Sequence, residues 1–480
     1  MADRRALAAL LGLTALAGCS MAPPYQPPAV SVPATYAEAG PWVPAAPGDA
    51  APSQTWWTAF GDGTLDALET RLATDNPSLA VAVGRYDLAR AYLAEVRAGL
   101  FPQIGAQATV TQNRQSDNRP LRGQKQPDLY AADTLGAQVS YEADLWGRVR
   151  NSVAAGRADA EASADDLAAV RVSLQAQLAT DYIALRGYDR EIDLLQRTVD
   201  AYSRADAMTR RRFAGGIANG METGQSATQL AEAQGQLADL RNARALTEHA
   251  IAALVGTTPS GFSIAASSAP LPMPEVPVSL PSTLLQRRPD VAAAERRMFA
   301  ANRRIGVAKA AFFPSLLLGG QGGVQNTALA GLVSAPNLFW SVGPNVLLTL
   351  FDGGRNRARV AEARAGWEQA TADYRLRVLG AMQDVEDGLS RLHHLGDEAA
   401  AEERAAQQAA QVEQLATRRY EKGAVSYLDV VTAQTTALRT QRQAIEIDTR
   451  RQQATVGLFK AVGGGWARSW RSRRNLPKIT

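Results

Sequence analysis

Cysteine is nearly absent from this 480-residue chain: Cys19 is the single one, so no disulfide within the chain is possible. Histidine is almost as scarce, with His249 alone and His393-His394 adjacent. Neighbouring residues on a helix point in different directions, so the adjacent pair predicts no shared metal. No Gly-x-x-x-x-Gly-Lys-Ser/Thr, Gly-x-Ser-x-Gly or His-Glu-x-x-His occurs. The glycine-rich run Gly319–Gly323 falls in a predicted strand, and carboxylate pairs such as Asp165-Asp166 and Glu402-Glu403 read as solvated helix surface. These absences predict no catalytic residues, no metal and no cofactor.

Aromatic residues are few, at 6%, and charge of one sign is not in excess: 51 Lys and Arg against 47 Asp and Glu, net +4. Much of that small excess sits in Arg468–Lys478, so the body of the chain predicts no nucleic-acid surface. A hydrophobic content of 46% with 20% charged residues excludes general disorder. Beyond the first twenty or so residues no run of about 18 apolar residues occurs, which excludes a transmembrane helix there.

Proline is missing from two long segments, about 147–213 and 354–420. In the first, Leu167, Val170, Leu174, Leu178, Tyr182, Leu185, Tyr188, Ile192, Leu195 and Val199 recur at helical spacing; in the second, Trp367, Tyr374, Val378, Met382, Val385, Leu389 and Leu392 do. Each predicts one helix of roughly 67 residues, about 100 Å long at ~1.5 Å per residue. Ordinary helices hold about 10–14 residues, so these two must bridge a distance.

The start of the chain is built differently. Arg4 and Arg5 precede an apolar run, Ala6–Leu16, then Leu16-Ala17-Gly18-Cys19. This reads as an export signal over residues 1–18 whose cleavage leaves Cys19 as the acylated first residue. Acyl chains contribute ~0.8 kcal/mol per buried CH₂, so such a terminus stays in its bilayer. Residues 19–66 read as an extended, lipid-anchored segment, proline-rich from Pro23 to Pro52 and ending in an aromatic group, Trp56, Trp57 and Phe60.

Laid on itself, the chain repeats. Asn76-Pro77 falls on Arg288-Pro289 and Phe101-Pro102 on Phe313-Pro314, at an offset of about 212 residues. Gly147-Arg148 falls on Gly354-Arg355, Arg212-Phe213 on Arg419-Tyr420, Gly216 on Gly423 and Val255-Gly256 on Val462-Gly463, at about 207. Repeat one covers residues 67–270, repeat two 271–466, and 467–480 is a basic tail. Each repeat reads helix, Phe-Pro break, β-hairpin, very long helix, glycine turn, returning helix. Pro102 and Pro314 end the first helices, because proline cannot continue a helix interior.

After each break the period switches to two. Strands are predicted at about 103–113 and 134–145, then 315–325 and 340–351. Ile104, Ala106, Ala108 and Val110 face one way and Gln103, Gln107, Thr109 and Thr111 the other. Strands of about ten residues, apolar on one face and polar on the other, match a membrane β-barrel. Four cannot close one, and open edges are not tolerated in lipid, so copies must pool their strands. A trimer supplies twelve, enough for a channel. The fold class predicted is mainly α with a membrane β-barrel, in two tandem repeats, the trimer forming a 12-stranded β-barrel and a 12-helix α-barrel.

The sequence resembles a known family. The lipid-attachment motif at Cys19, Trp56-Trp57-x-x-Phe60-x-Asp62-x-x-Leu65, Arg287-Arg288-Pro289-Asp290, Phe312-Phe313-Pro314-Ser315, Leu350-Phe351-Asp352-Gly353-Gly354-Arg355 and Arg419-Tyr420-x-x-Gly423 through Leu428-Asp429-Val430 are similar to an outer membrane factor. The superfamily is TolC-like and the branch is the NodT-type efflux lipoproteins. The resemblance implies a homotrimer in the outer membrane, lipid-anchored, with its helical portion in the periplasm. It implies as partners a periplasmic adaptor (membrane fusion) protein and an inner-membrane pump of the resistance–nodulation–division class, exporting drugs or other small toxic molecules. It further implies that the two helical turns carry the gate and the adaptor contact: Arg212, Phe213 and Gly216 in the first, Arg419, Tyr420, Gly423, Leu428, Asp429 and Thr432 in the second. Thr432 stands where some members have aspartate. A plainer reading is that Arg211, Arg212, Arg418 and Arg419 only complement helix C-termini. Two other functions fit part of the pattern: a channel for type I polypeptide secretion, and a lipid-anchored periplasmic coiled-coil adaptor without a pore.

Overall fold

The computed structural model describes residues 20–28, 35–38, 55–118, 127–274, 276, 288–464 and 466. The expectations for the export signal, Cys19, Arg287 and the basic tail fall outside them. A 3₁₀ turn, Trp56–Phe60, leads into α1 (Gly63–Asp75) and α2 (Pro77–Ala98). Then come β1 (Gln103–Arg114), β2 (Leu129–Ala143), α3 (Arg148–Ala214) and α4 (Gly220–Leu254). The second repeat gives α5 (Pro289–Ala310), β3 (Ser315–Asn326), β4 (Leu338–Leu347), α6 (Arg355–Glu421) and α7 (Tyr427–Ala461). Equivalent helices match in length: 22 residues for α2 and α5, 67 for α3 and α6, 35 for α4 and α7.

Both long helices start with the same device. A glycine with positive φ, Gly147 or Gly354, turns the chain out of the strand. An aspartate just ahead accepts backbone N–H groups of the first turn: Asp144 from Arg150, and Asp352 from Gly354 and Asn356. The short helices meet the returning ones end to end. The Asn76 side chain donates to the carbonyl of Leu254, the last residue of α4, while its own oxygen accepts from Leu79 N–H. In the second repeat Arg288 donates to the carbonyl of Ala461, the last residue of α7. Each junction thus satisfies a carbonyl that a helix end leaves without a partner. Gly256 makes the first junction possible: its φ is +69°, and a Cβ there would stand 2.2 Å from the Asp75 carbonyl oxygen.

The four strands form one antiparallel sheet in the order β1-β2-β3-β4. Residues opposed in register point to the same side. Ile104 faces Val139, Val139 faces Gly320, and Gly320 faces Val342. Gln103 faces Ser140, Ser140 faces Gly319, and Gly319 faces Gly343; Gln138 faces Gln321, and Gln321 faces Ser341. The alternation in each strand therefore adds up to one apolar and one polar face. The apolar face is uncovered: Ile104 is 80% exposed, Trp340 74% and Val342 73%. Among the described residues nothing pairs with the outer edges of β1 and β4. Pro344 lies within β4, where an edge position accommodates its missing N–H.

Two strand boundaries differ from expectation. The return strand of the first hairpin begins at Leu129 rather than near 134, because Leu129 pairs with Arg114 at the far end of β1. The last strand runs Leu338–Leu347 rather than 340–351, because Leu347 pairs with Ser315, the first residue of β3.

The described residues fall into two compact units, one drawn from Met1–Ala29, Arg85–Ala164 and Ala293–Arg375, the other from Val30–Gly84, Asp165–Ala292 and Leu376–Thr480. Each draws on both repeats. The core of the second unit gathers Trp56, Trp57 and Phe60 with Leu65, Leu72, Leu178, Tyr182 and Phe459. Beside it runs a buried polar chain. Arg186 donates to the Tyr182 hydroxyl and to Asp189; Tyr182 donates to Asp62, the N-cap of α1; Asp189 also accepts from Arg244. Burial pushes the Tyr182 phenol up to about 12. Among the described residues no helix is long and apolar enough to cross a membrane.

Candidate functional site

The two helical turns singled out by sequence join α3 to α4 and α6 to α7, and all their described residues lie in the second unit. Both close by one hydrogen-bond pattern. Gly216 has φ +69° and Gly423 φ +73°. The next N–H folds back onto a carbonyl five residues earlier: Ile217 onto Arg212 at 2.8 Å, Ala424 onto Arg419 at 2.9 Å. This is the left-handed C-cap that glycine permits. The returning helices start with polar caps. Asn219 accepts from Glu222 N–H, and Asp429 accepts from both the N–H and the hydroxyl of Ser426.

The side chains then differ between turns. Tyr420 is buried, at 4% exposure, and its hydroxyl donates to Glu222 at 3.0 Å. The Arg212 guanidinium lies over its ring, 4.8 Å from the centroid, and Tyr427 packs against it at 5.3 Å. A residue of the second turn is therefore held by the end of α3 and the start of α4. Burial first, then the hydrogen bond and charge of Glu222, raise the Tyr420 pKa, and burial takes Tyr427 up to about 12. Both phenols stay neutral at physiological pH. Beneath them Asp206 accepts from Ser226 and Arg210, and Ser226 meets Thr209 at 2.8 Å, which locks α3 to α4.

The expected residues do not form one cluster. Arg212 and Tyr420 are brought together. Phe213, at the position equivalent to Tyr420, is 52% exposed, and Leu428 is 56% exposed. Arg419, Asp429 and Thr432 line a separate open groove of about 440 Å³ with Val412, Leu415 and Thr436. The Thr432 hydroxyl donates to its own helix at the Leu428 carbonyl. Pro102 and Pro314 lie outside the turns, between a short helix and its strand; the Pro314 carbonyl accepts from Trp146, whose ring stacks on Phe313.

A model of the family described as outer membrane efflux protein matches residues 70–257 and 280–464. The chain belongs to this outer membrane efflux protein family. The two matched blocks are the two repeats. Outer membrane protein OprJ of Pseudomonas aeruginosa is 32% identical over 468 residues, covering 96% of each chain. The cation efflux system protein CusC of Escherichia coli is 28% identical over 462 residues, covering 94% of this chain and 97% of its own. The solved Campylobacter jejuni CmeC outer membrane channel has the same fold, with TM-score 0.88 at 22% identity over 94% of this chain and 96% of its own. The protein is an outer membrane channel component of an efflux system, and its family is one of channel proteins rather than enzymes.

In this efflux protein three features escaped the sequence reading. Glu222 and Tyr427 complete the grip on Tyr420, while the Asn219-x-x-Glu222 spacing marked only a helix start. Ser426-x-x-Asp429 is a capping pattern, so the Asp429 carboxylate is engaged at the helix start. His393 and His394, expected to point apart, lie near Asp397 so that one possible ligand atom of each of the three falls within 4.8 Å of the others.

Proposed function

We propose that three copies of this chain close a twelve-stranded barrel in the outer membrane, continuous with a helical tunnel, and act as a passive conduit for small toxic molecules. The observation that carries this is the sheet: four strands, two edges unpaired among the described residues, and an uncovered apolar face. In lipid each unpaired backbone group costs several kcal/mol, so the edges must find partners, and copies of the same chain supply them. The polar face then lines the lumen. A pore-free coiled-coil adaptor would have no use for this sheet.

The conduit does no chemistry and holds no cofactor; energy comes from an inner-membrane pump of the resistance–nodulation–division class, coupled through a periplasmic adaptor. The two helical turns are the adaptor contact and the gate, with Arg212, Tyr420 and Glu222 holding the closed arrangement. Cys19 carries the lipid anchor, and a palmitate analogue labels the wild type but not Cys19→Ser.

The test is conduction. Purified protein inserted in planar bilayers gives discrete current steps of uniform size. Folded, reconstituted protein that gives no steps removes the conduit.

A further inference from the structure

We propose that His393, His394 and Asp397 form a surface site for a divalent first-row transition-metal ion of the copper and zinc type. All three lie on α6 and are exposed. A helix turns once in 3.6 residues, so positions three and four apart share a face. Asp397 is three residues from His394 and four from His393, and so faces both. Adjacency sends the two imidazoles apart, and the carboxylate one turn on gives them a common focus. Their ring centroids are 5.0 Å apart at 65°. His393 Nε2 lies 3.9 Å from Asp397 Oδ2, and the three donor atoms all fall within 4.8 Å of one another.

That spacing is close to what an ion needs. With metal–ligand bonds of ~2.0–2.2 Å, donors around a tetrahedral ion sit roughly 3.3 Å apart. The His393–Asp397 pair must close by about half an ångström and the widest pair by about 1.5 Å, which exposed side chains cover by rotamer change. No core atom moves. Space beside the site is open: a Cβ on Gly396 would meet nothing within 4 Å.

The donor set selects the class of ion. Imidazole suits zinc, copper and nickel, whereas magnesium and calcium take oxygen ligands. Two imidazoles and one carboxylate match the first group, and the order of intrinsic affinities puts Cu²⁺ first. Three protein ligands leave at least one position for water or an outside donor. Without an ion, the same geometry gives only a His393–Asp397 pair one turn apart, attractive when the imidazole is protonated.

The test uses the full chain in detergent, purified without a polyhistidine tag and titrated with Zn²⁺ by calorimetry and with Cu²⁺ by electron paramagnetic resonance. One ion per chain binds to the wild type and to His249→Ala, and the copper spectrum carries nitrogen couplings. His393→Ala, His394→Ala and Asp397→Asn each weaken binding by at least the ~10-fold that loss of even an outer-shell partner costs. The helical signal stays the same in every variant, since all three residues are exposed. No binding to the wild type overturns the site. So does binding that survives in His394→Ala, or in the double His393→Ala, His394→Ala variant, at wild-type strength.

Discussion

Tyr420 and Phe213 occupy equivalent positions in the two repeats and do opposite things. Phe213 lacks a hydroxyl and stands in solvent; Tyr420 is buried and reaches Glu222 across the gap between turns. The two turns are thus inequivalent. Arg419, which the family resemblance pairs with Tyr420, instead lines the groove with Asp429 and Thr432. Tyr420→Phe loses one hydrogen bond to a carboxylate, about 1.5–3 kcal/mol for a charged partner in general. Half-exposed Glu222 then turns to water, which recovers part of that. Combined with Arg419→Ser, the change is expected to raise single-channel conductance in planar bilayers with assembly intact. Unchanged conductance would leave these residues a structural tie only. Tyr420 was legible because its motif is local and specific. Glu222 was not, because nothing in a sequence marks two residues 198 positions apart as partners.

Among the elements, the two long helices were legible nearly to the residue, whereas α1, which begins at Gly63 inside the segment expected to be extended, was not read. Pro102 and Pro314 stop the short ones, Gly216 and Gly423 turn the long ones, and proline-free periodicity runs between, so these boundaries carry a local chemical mark. Strand ends carry none. Alternation tells which residues share a face, but a strand ends where its partner does, so β2 and β4 shifted with the reach of β1 and β3. The buried Arg186–Asp189–Arg244 chain was equally silent, because Asp189 and Arg244 are 55 residues apart on two successive helices. Helix α1 holds another unannounced feature. Glu69 is 1% exposed, and neither of its carboxylate oxygens has a hydrogen-bond partner among the described residues. Burial first, and then the Asp66 charge, push its pKa up to about 9. The folded state therefore holds this proton where the unfolded chain, near 4.5, has released it. Stability from this group is full at low pH and declines as pH rises from about 4.5 towards about 9. Glu69→Gln is expected to raise the apparent melting temperature more at pH 8 than at pH 5. An equal shift at both values would show that Glu69 is ionised in the folded protein.

For the molecule as a whole, a single copy leaves too much unfinished. The sheet has an exposed apolar face and, among the described residues, two bare edges. Large apolar side chains also stand exposed on the helices: Leu88 at 72%, Leu376 at 65%, Leu379 at 61%, Val412 and Leu415 each at 57%. The contiguous apolar face of the sheet marks contact with lipid or protein. The sheet contributes four strands and each repeat contributes one long helix, so the count rather than any single residue fixes what must be shared. The most direct measurement is the mass of the purified protein in detergent, by light scattering corrected for bound detergent, alongside its circular dichroism. Three chains per particle with a strong helical signal, and no folded species of one chain on dilution, is the result expected. A well-folded particle of one chain's mass, stable on dilution, would contradict the closure of the barrel by copies of this chain.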